Sequence, residues 1–597
     1  MRKANYSHWE NIDKLEGVLF FAQLIDEMLF DYTLDSYKPS ALNSRLLCIE
    51  CFETLEEIKE GFIPKKSLQS VVEELKWSLN RDVAAKSLFG VKFENYVERL
   101  KPNELKIYEL ENIVDLLYNS FNDRKYLASI ITCLSDFVKT GSKKEKIRSL
   151  TGSFVTELIN YGYNKNYIYY QNFNFFFNKQ KRKQIKSEAD IEDFFKIFDF
   201  QRHEFTAVFK GGMIFQNFRD TLNAFNIVVT RNYSCFSKMR DDAAFKRELK
   251  VNECFIICSK IEALDHHSAR ASAENVLAQV SNIFNFYHHK NKPEILDKAV
   301  VSRSSDNYVV VIDKLSKSVL RSEYEQGAME AARSVESTLG NLHLDTESTH
   351  RFARSIDLHS AAISTTALEN QLLDFWAALE TLLPKIAESD KDRIVQICNR
   401  LVPFLQLNYI HKILGELHKD LNLWNEAFIN SMLEKIGAGA NYSALEKIAA
   451  LVSLEQSKPL RQELYNELTD FPLLRNRVYS IHESLKSVDN IEKLLETHKM
   501  KIDWHLRRIY RTRGQIIHSG KYPSFISILI ENLHNYLDIF LHKIIELSKS
   551  QRISSIEQGV LEIEVALEFQ IRLLKKHRGE ALSVDNFREA ILGEKRV

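Results

Sequence analysis

The chain has 597 residues, 45% of them hydrophobic, which is enough apolar material for several packed cores. Its 81 basic residues are matched by 81 acidic ones, so net charge excludes a global attraction to nucleic acid or membrane, and any such affinity has to come from a local patch. Seven cysteines give no disulfide framework in so long a chain, and the opening "MRKANYSHWENIDKLEG" lacks the apolar stretch of a secretory signal, so a cytoplasmic setting is expected.

Only nine prolines and 18 glycines punctuate the chain, which predicts long helices with short connections and a mainly α class. The most apolar segments, "GVLFFAQLIDEMLF" and "FISILIENLHNYLDIFLHKIIEL", carry acids, Asn or His where a membrane helix would need none, so no membrane association is expected. From Trp9 to about Asn160 apolar residues recur at helical spacing, as in "VVEELKWSL" and "IVDLLYNSF", and residues 1–195 read as an N-terminal helical domain. Cys48 and Cys51 form a CxxC without further ligands at zinc spacing, so they read as helix core, as do Cys254 and Cys258.

Aromatics and asparagines then give way to a basic cluster between Lys179 and Lys186, in "YGYNKNYIYYQNFNFFFNKQKRKQIK". Rings beside Lys and Arg suit base stacking and phosphate contact, but Phe173 to Phe177 fit an anchored apolar segment better. Short β-branched or alternating runs follow: "EFTAVFKG", "FNIVVTRN", "ECFIICSKI", "KAVVS" and "NYVVVID", with the helix "SARASAENVLAQVSNIFNFY" among them. Residues 196–330 therefore read as a small central α/β domain. No GxGxxG or P-loop accompanies Gly211 and Gly212, so nucleotide hydrolysis is unsupported. The doublets His266/His267 and His288/His289 lack an ordered third ligand and read as surface histidines.

From about 340 the chain returns to helices. "LENQLLDFWAALETLLP" is apolar almost all round between Leu372 and Leu383, so it should be a central buried helix in which Glu380 needs a cationic partner. In "WHLRRIYRTRGQIIHSGKYP" the residues Ile502, Leu506, Ile509, Arg513 and Ile516 make one stripe at helical spacing, and Arg513 in that seam is the candidate partner. Trp504, Arg507, Arg511 and His518 share another, basic face. Ser519, Gly520 and Pro523 stop the helix, leaving His518 in its last turn, where the dipole favours the imidazolium.

An arginine five places before a histidine occurs four times, at Arg354/His359, Arg477/His482, Arg513/His518 and Arg572/His577. Spacing alone does not choose among them. Arg477 and Arg572 sit off the apolar stripes of their helices and read as surface arginines, and His359 has neither a stop signal nor basic neighbours. Only Arg513 and His518 combine a seam arginine, a basic face and a helix end.

These residues resemble the HEPN nucleases, in particular their Apea-like branch. The resemblance covers about 340–548 and rests on "LLDFWAALETLL", on "RRIYRTRGQIIHSG" as the family's RxxxxH segment, and on the closing helix "LIENLHNYLDIFLHKII". It implies a HEPN-type helical bundle over 340–548, followed by a helical tail over 549–597. It further implies an endoribonuclease without metal or cofactor that works as a homodimer, with Arg513 and His518 as the catalytic pair, and a regulated toxin-like or antiviral defence role. With it go Glu380 as the residue positioning Arg513, and Arg507, Arg508, Arg511 and Lys521 as RNA contacts. A protein trigger or inhibitor would bind the N-terminal regions. Many family members follow the arginine with a polar residue, whereas this chain has Gly514. That departure supports the alternative of a non-catalytic helical sensor or scaffold that binds RNA or a protein and dimerises through this domain. Glycine in mid-helix also suggests a close backbone approach or a bend.

Overall fold

The computed structural model describes residues 9–593 except 11, 31–39, 105, 142, 179–183, 233–248, 306–307, 314–325, 366, 384–391 and 437–441. Most of the basic cluster before Lys186 thus lies outside the described residues. The described chain is mostly helical with one small antiparallel sheet, and no described helix is long and apolar enough to cross a membrane.

The compact units do not follow chain order. Residues 1–154, 183–190 and 320–597 pack as one unit, and 155–182 with 191–319 form a second. The sequence suggested consecutive segments because helical periodicity is local and says nothing about which helices meet.

In the second unit the five alternating runs become β1 (His203–Gly212), β2 (Ile227–Thr230), β3 (Glu253–Ala263), β4 (Ile295–Arg303) and β5 (Val309–Asp313). They form one antiparallel sheet in the order β2-β3-β1-β4-β5. The His266–Tyr287 helix covers one face with Ala269, Ala273 and Leu277 against Phe205, Phe209 and Ile256. Asp265 starts that helix by accepting from the amides of His267 and Ser268, which draws His266 into the core against Phe205. His267 stacks on Tyr170. Burial, then the neighbouring His266 and Arg270, pushes the His267 imidazole down to about 4. The first doublet is therefore not a surface pair. Phe175, Phe176 and Phe177 are buried, the first two packed with Phe194 and the third against Phe176, so these rings are core and not a stacking platform.

Among the described residues of the first unit, the regular structure is helical, with one isolated bridge between Trp9 and Ile185. Its C-terminal core gathers Phe375, Trp376 and Leu379 from the Leu368–Leu382 helix with Leu401, Leu506, Ile509, Leu533 and Phe540. No residue from Gln371 to Leu383 is exposed, as expected of a central helix. Ile556, Val560, Ile563 and Leu567 of the Ile556–Lys576 helix, beyond residue 549, enter the same core. Cys48 and Cys51 are buried in the Ser44–Lys59 helix, and Cys254 and Cys258 in β3.

Candidate functional site

The Val488–Ser519 helix opens with Ser487 accepting from the Asn490 amide and closes on Gly520, left-handed at φ 66. The Gly520 amide donates to the Ile516 carbonyl at 3.0 Å, which uses the conformation glycine adopts most readily. Ile502, Leu506, Ile509 and Ile516 are buried along it. Arg513, in the same stripe, is half-buried and aimed at the Leu368–Leu382 helix.

There Arg513 Nη2 lies 3.8 Å from Glu380 Oε2, with the side chains 33% and 25% exposed. This is an ion pair beyond hydrogen-bond reach. Glu380 is shared, since Arg393 Nε stands 3.7 Å from its other oxygen. Arg393 also donates to the carbonyls of Glu380, at 3.2 Å, and Leu383. Two guanidiniums around one carboxylate leave the cluster a net positive charge, which suits an incoming anion. Arg393 escaped the sequence reading because it opens a different helix, Arg393–Leu407, and no periodicity ties it to Glu380. Tyr510 packs on Trp376 at 5.6 Å between ring centres and braces the two main helices.

His518 is exposed, and among the described residues it has no hydrogen-bond or ion-pair partner. Arg513 and His518 are about 140° apart around the helix, and no described contact joins them. Lys521 is exposed just beyond.

The basic face expected beside them is largely absent. Arg508 is buried and pairs with both oxygens of Glu50 at 2.8 Å and with Glu74. Arg511 also pairs with Glu50. Trp504 packs edge-on against Trp77 at 5.8 Å. Burial pushes the Glu50 carboxyl up, but Arg508 and Arg511 pull it down to about 2. Glu74 moves the other way, raised by burial that Arg508 does not fully offset, with the Glu50 charge adding to the rise. Burial alone would lower Arg508, yet Glu50 and Glu74 hold it above the ordinary arginine range. Arg508 and Arg511 therefore brace the bundle and are unavailable as RNA contacts. Arg507 is half-buried and tied to Asp503 at 2.6 Å on its own helix.

In two of the rival pairs the histidine is held in structural contacts. Arg477, expected at the surface, is buried between Glu27 and Asp420, and His482 Nδ1 is 2.7 Å from the Val452 carbonyl. Arg572 is exposed as expected, and His577 sits between Glu580 and Glu589 at 2.8 and 3.2 Å. Gly514 shows no close approach, since an added Cβ would meet nothing within 4 Å, and the helix runs unbroken through it. One group among the described residues has the composition and spacing to hold a metal ion: His359, His534 and Asp538, with ligand atoms within 4.8 Å of one another. No protein-family model, curated protein or solved structure matches this chain.

Proposed function

We propose that the chain is a HEPN-type endoribonuclease that cleaves RNA without a metal at the reacting phosphate, using Arg513 and His518. The observation that carries this reading is the placing of Arg513 against Glu380, at 3.8 Å with Arg393 on the other oxygen, a few residues before an exposed helix-end histidine. Glu380 and Arg393 position Arg513, and the surplus positive charge stabilises the phosphoryl oxygens as charge develops on them. The 2′-hydroxyl attacks the adjacent phosphorus while histidine moves the proton, and the P–O5′ bond breaks. The products are a 2′,3′-cyclic phosphate and a 5′-hydroxyl.

Because Arg513 and His518 diverge around one helix, two copies of the segment about a twofold axis would supply the groups jointly. Ile517 and Tyr522, 51% and 47% exposed beside His518, give that interface apolar surface. The inward turn of Arg508 and Arg511 favours a second reading, a scaffold that dimerises without cleaving, since it removes most of the local basic patch.

Purified protein incubated with total RNA, both without added metal and in EDTA, separates the two. The nuclease reading expects fragments bearing 2′,3′-cyclic phosphate ends, and intact RNA would support the scaffold.

A further inference from the structure

We propose that His359, His534 and Asp538 form a binding site for a divalent first-row transition ion, best matched to zinc, that ties two helices of the C-terminal bundle together. His359 comes from the Thr346–Ser364 helix, and His534 and Asp538 lie one turn apart on the Ile526–Lys549 helix. Four-residue spacing sets the latter two on one face, opposite His359.

The separations approach those of a shared ion. His359 Nε2 is 3.1 Å from Asp538 Oδ1, and His534 Nε2 is 3.6 Å from Asp538 Oδ2. Metal bonds of about 2.0–2.1 Å in a tetrahedral site place ligand atoms about 3.3 Å apart; one ligand atom from each residue already lies within 4.8 Å of the others, so small side-chain rotations that turn a single Asp538 oxygen toward both imidazoles would close the site. The imidazole rings are stacked at 5.1 Å. Phe375 walls both, at 5.5 Å from His359 and 5.0 Å from His534, which limits ring rotation. Two imidazoles and one carboxylate favour zinc and its first-row neighbours over magnesium or calcium, which prefer all-oxygen shells.

Burial is graded in the same sense. The side chains of His534 and Asp538 are 3% and 9% exposed, whereas that of His359 is 20% exposed. The carboxylate thus sits where a 2+ ion interacts strongly, and the His359 side is the one more open to solvent. None of the three belongs to the Arg513 cluster, so this site is independent of the cleavage reading.

The test uses the full chain, stripped with chelator and dialysed, then titrated with Zn2+ by calorimetry and with Co2+ by visible absorption. One ion per chain, a four-coordinate Co2+ band and a rise in thermal midpoint with zinc are expected. His359→Asn, whose position is partly exposed, and Asp538→Asn should each weaken binding at least about 100-fold, beyond the loss typical of an outer-shell partner. The double variant His288→Ala/His289→Ala should bind as wild type does. Failure of the wild-type protein to bind one ion overturns the site and leaves a hydrogen-bonded His-Asp-His cluster. Loss of binding only in the His288/His289 variant overturns it equally.

Discussion

Gly514 illustrates how one residue can be free of packing constraint and still weaken its element. An added Cβ there would meet nothing within 4 Å, and glycine inside a helix costs about 1 kcal/mol relative to alanine. Gly514→Ala should therefore raise the unfolding free energy by about 1 kcal/mol in urea titration; an unchanged or lowered midpoint would show that the backbone there departs from an ordinary helix. The close approach suggested by the sequence is not what this glycine serves. Glycines elsewhere do have steric reasons, as Gly520 does at φ 66, and the two cases look alike in a sequence because only the surroundings distinguish them.

At the scale of helices, two ion-pair systems that look similar on paper differ in energy. The Glu50 side chain is only 11% exposed and lies against Arg508 and Arg511, so Glu50→Gln leaves guanidinium charge short of a partner next to the core and should cost about 3–5 kcal/mol. Glu380 and Arg513 are a quarter to a third exposed, and Glu380→Gln should cost within about 1 kcal/mol. Equal losses in urea unfolding would contradict this assignment of burial. The Glu50 carboxyl is depressed from its ordinary 4.5 to about 2. Its contribution is therefore complete above that ordinary value and is lost as pH falls toward 2. The gap between wild type and Glu50→Gln should accordingly narrow from about pH 7 to about pH 3.

These helices also mark what the sequence could convey. The stripe from Ile502 to Ile516, the Gly520 stop, the central Leu372–Leu383 stretch and all five strands were legible, because each rests on a period or a turn signal within a few residues. The Glu380–Arg513 pairing was legible too, since a charge interrupting each of two apolar stripes needs a partner. The inward turn of Arg508 and Arg511 was not, because Glu50 and Glu74 lie more than four hundred positions away. Arg477 was misread for the same reason, with Glu27 and Asp420 supplied by other helices. The His359/His534/Asp538 cluster escaped because its first member is 179 positions from the last.

For the whole molecule, the N-terminal and C-terminal helices form one compact unit. A fragment of residues 340–597 would expose the faces that Glu27, Glu50 and Glu74 cover, and would leave Arg477, Arg508 and Arg511 without those carboxylates. Such a fragment should be insoluble or lack a cooperative thermal transition; a monodisperse, cooperatively melting fragment would contradict the need for those N-terminal carboxylates. The proposed composite site makes the active species a dimer. Light scattering alongside cleavage should find twice the chain mass wherever activity is full, and full activity in a strict monomer would refute the shared site.

The most direct test compares wild type, Arg513→Ala, His518→Ala and His482→Ala on total RNA, first without added metal and then in EDTA. His518 is exposed and its removal takes away no described contact, so His518→Ala should remain folded by circular dichroism and lose cleavage, as should Arg513→Ala. His482→Ala should keep cleaving. Undiminished cleavage by folded His518→Ala protein, or none by the wild type, would contradict the assignment of Arg513 and His518 as the reacting pair.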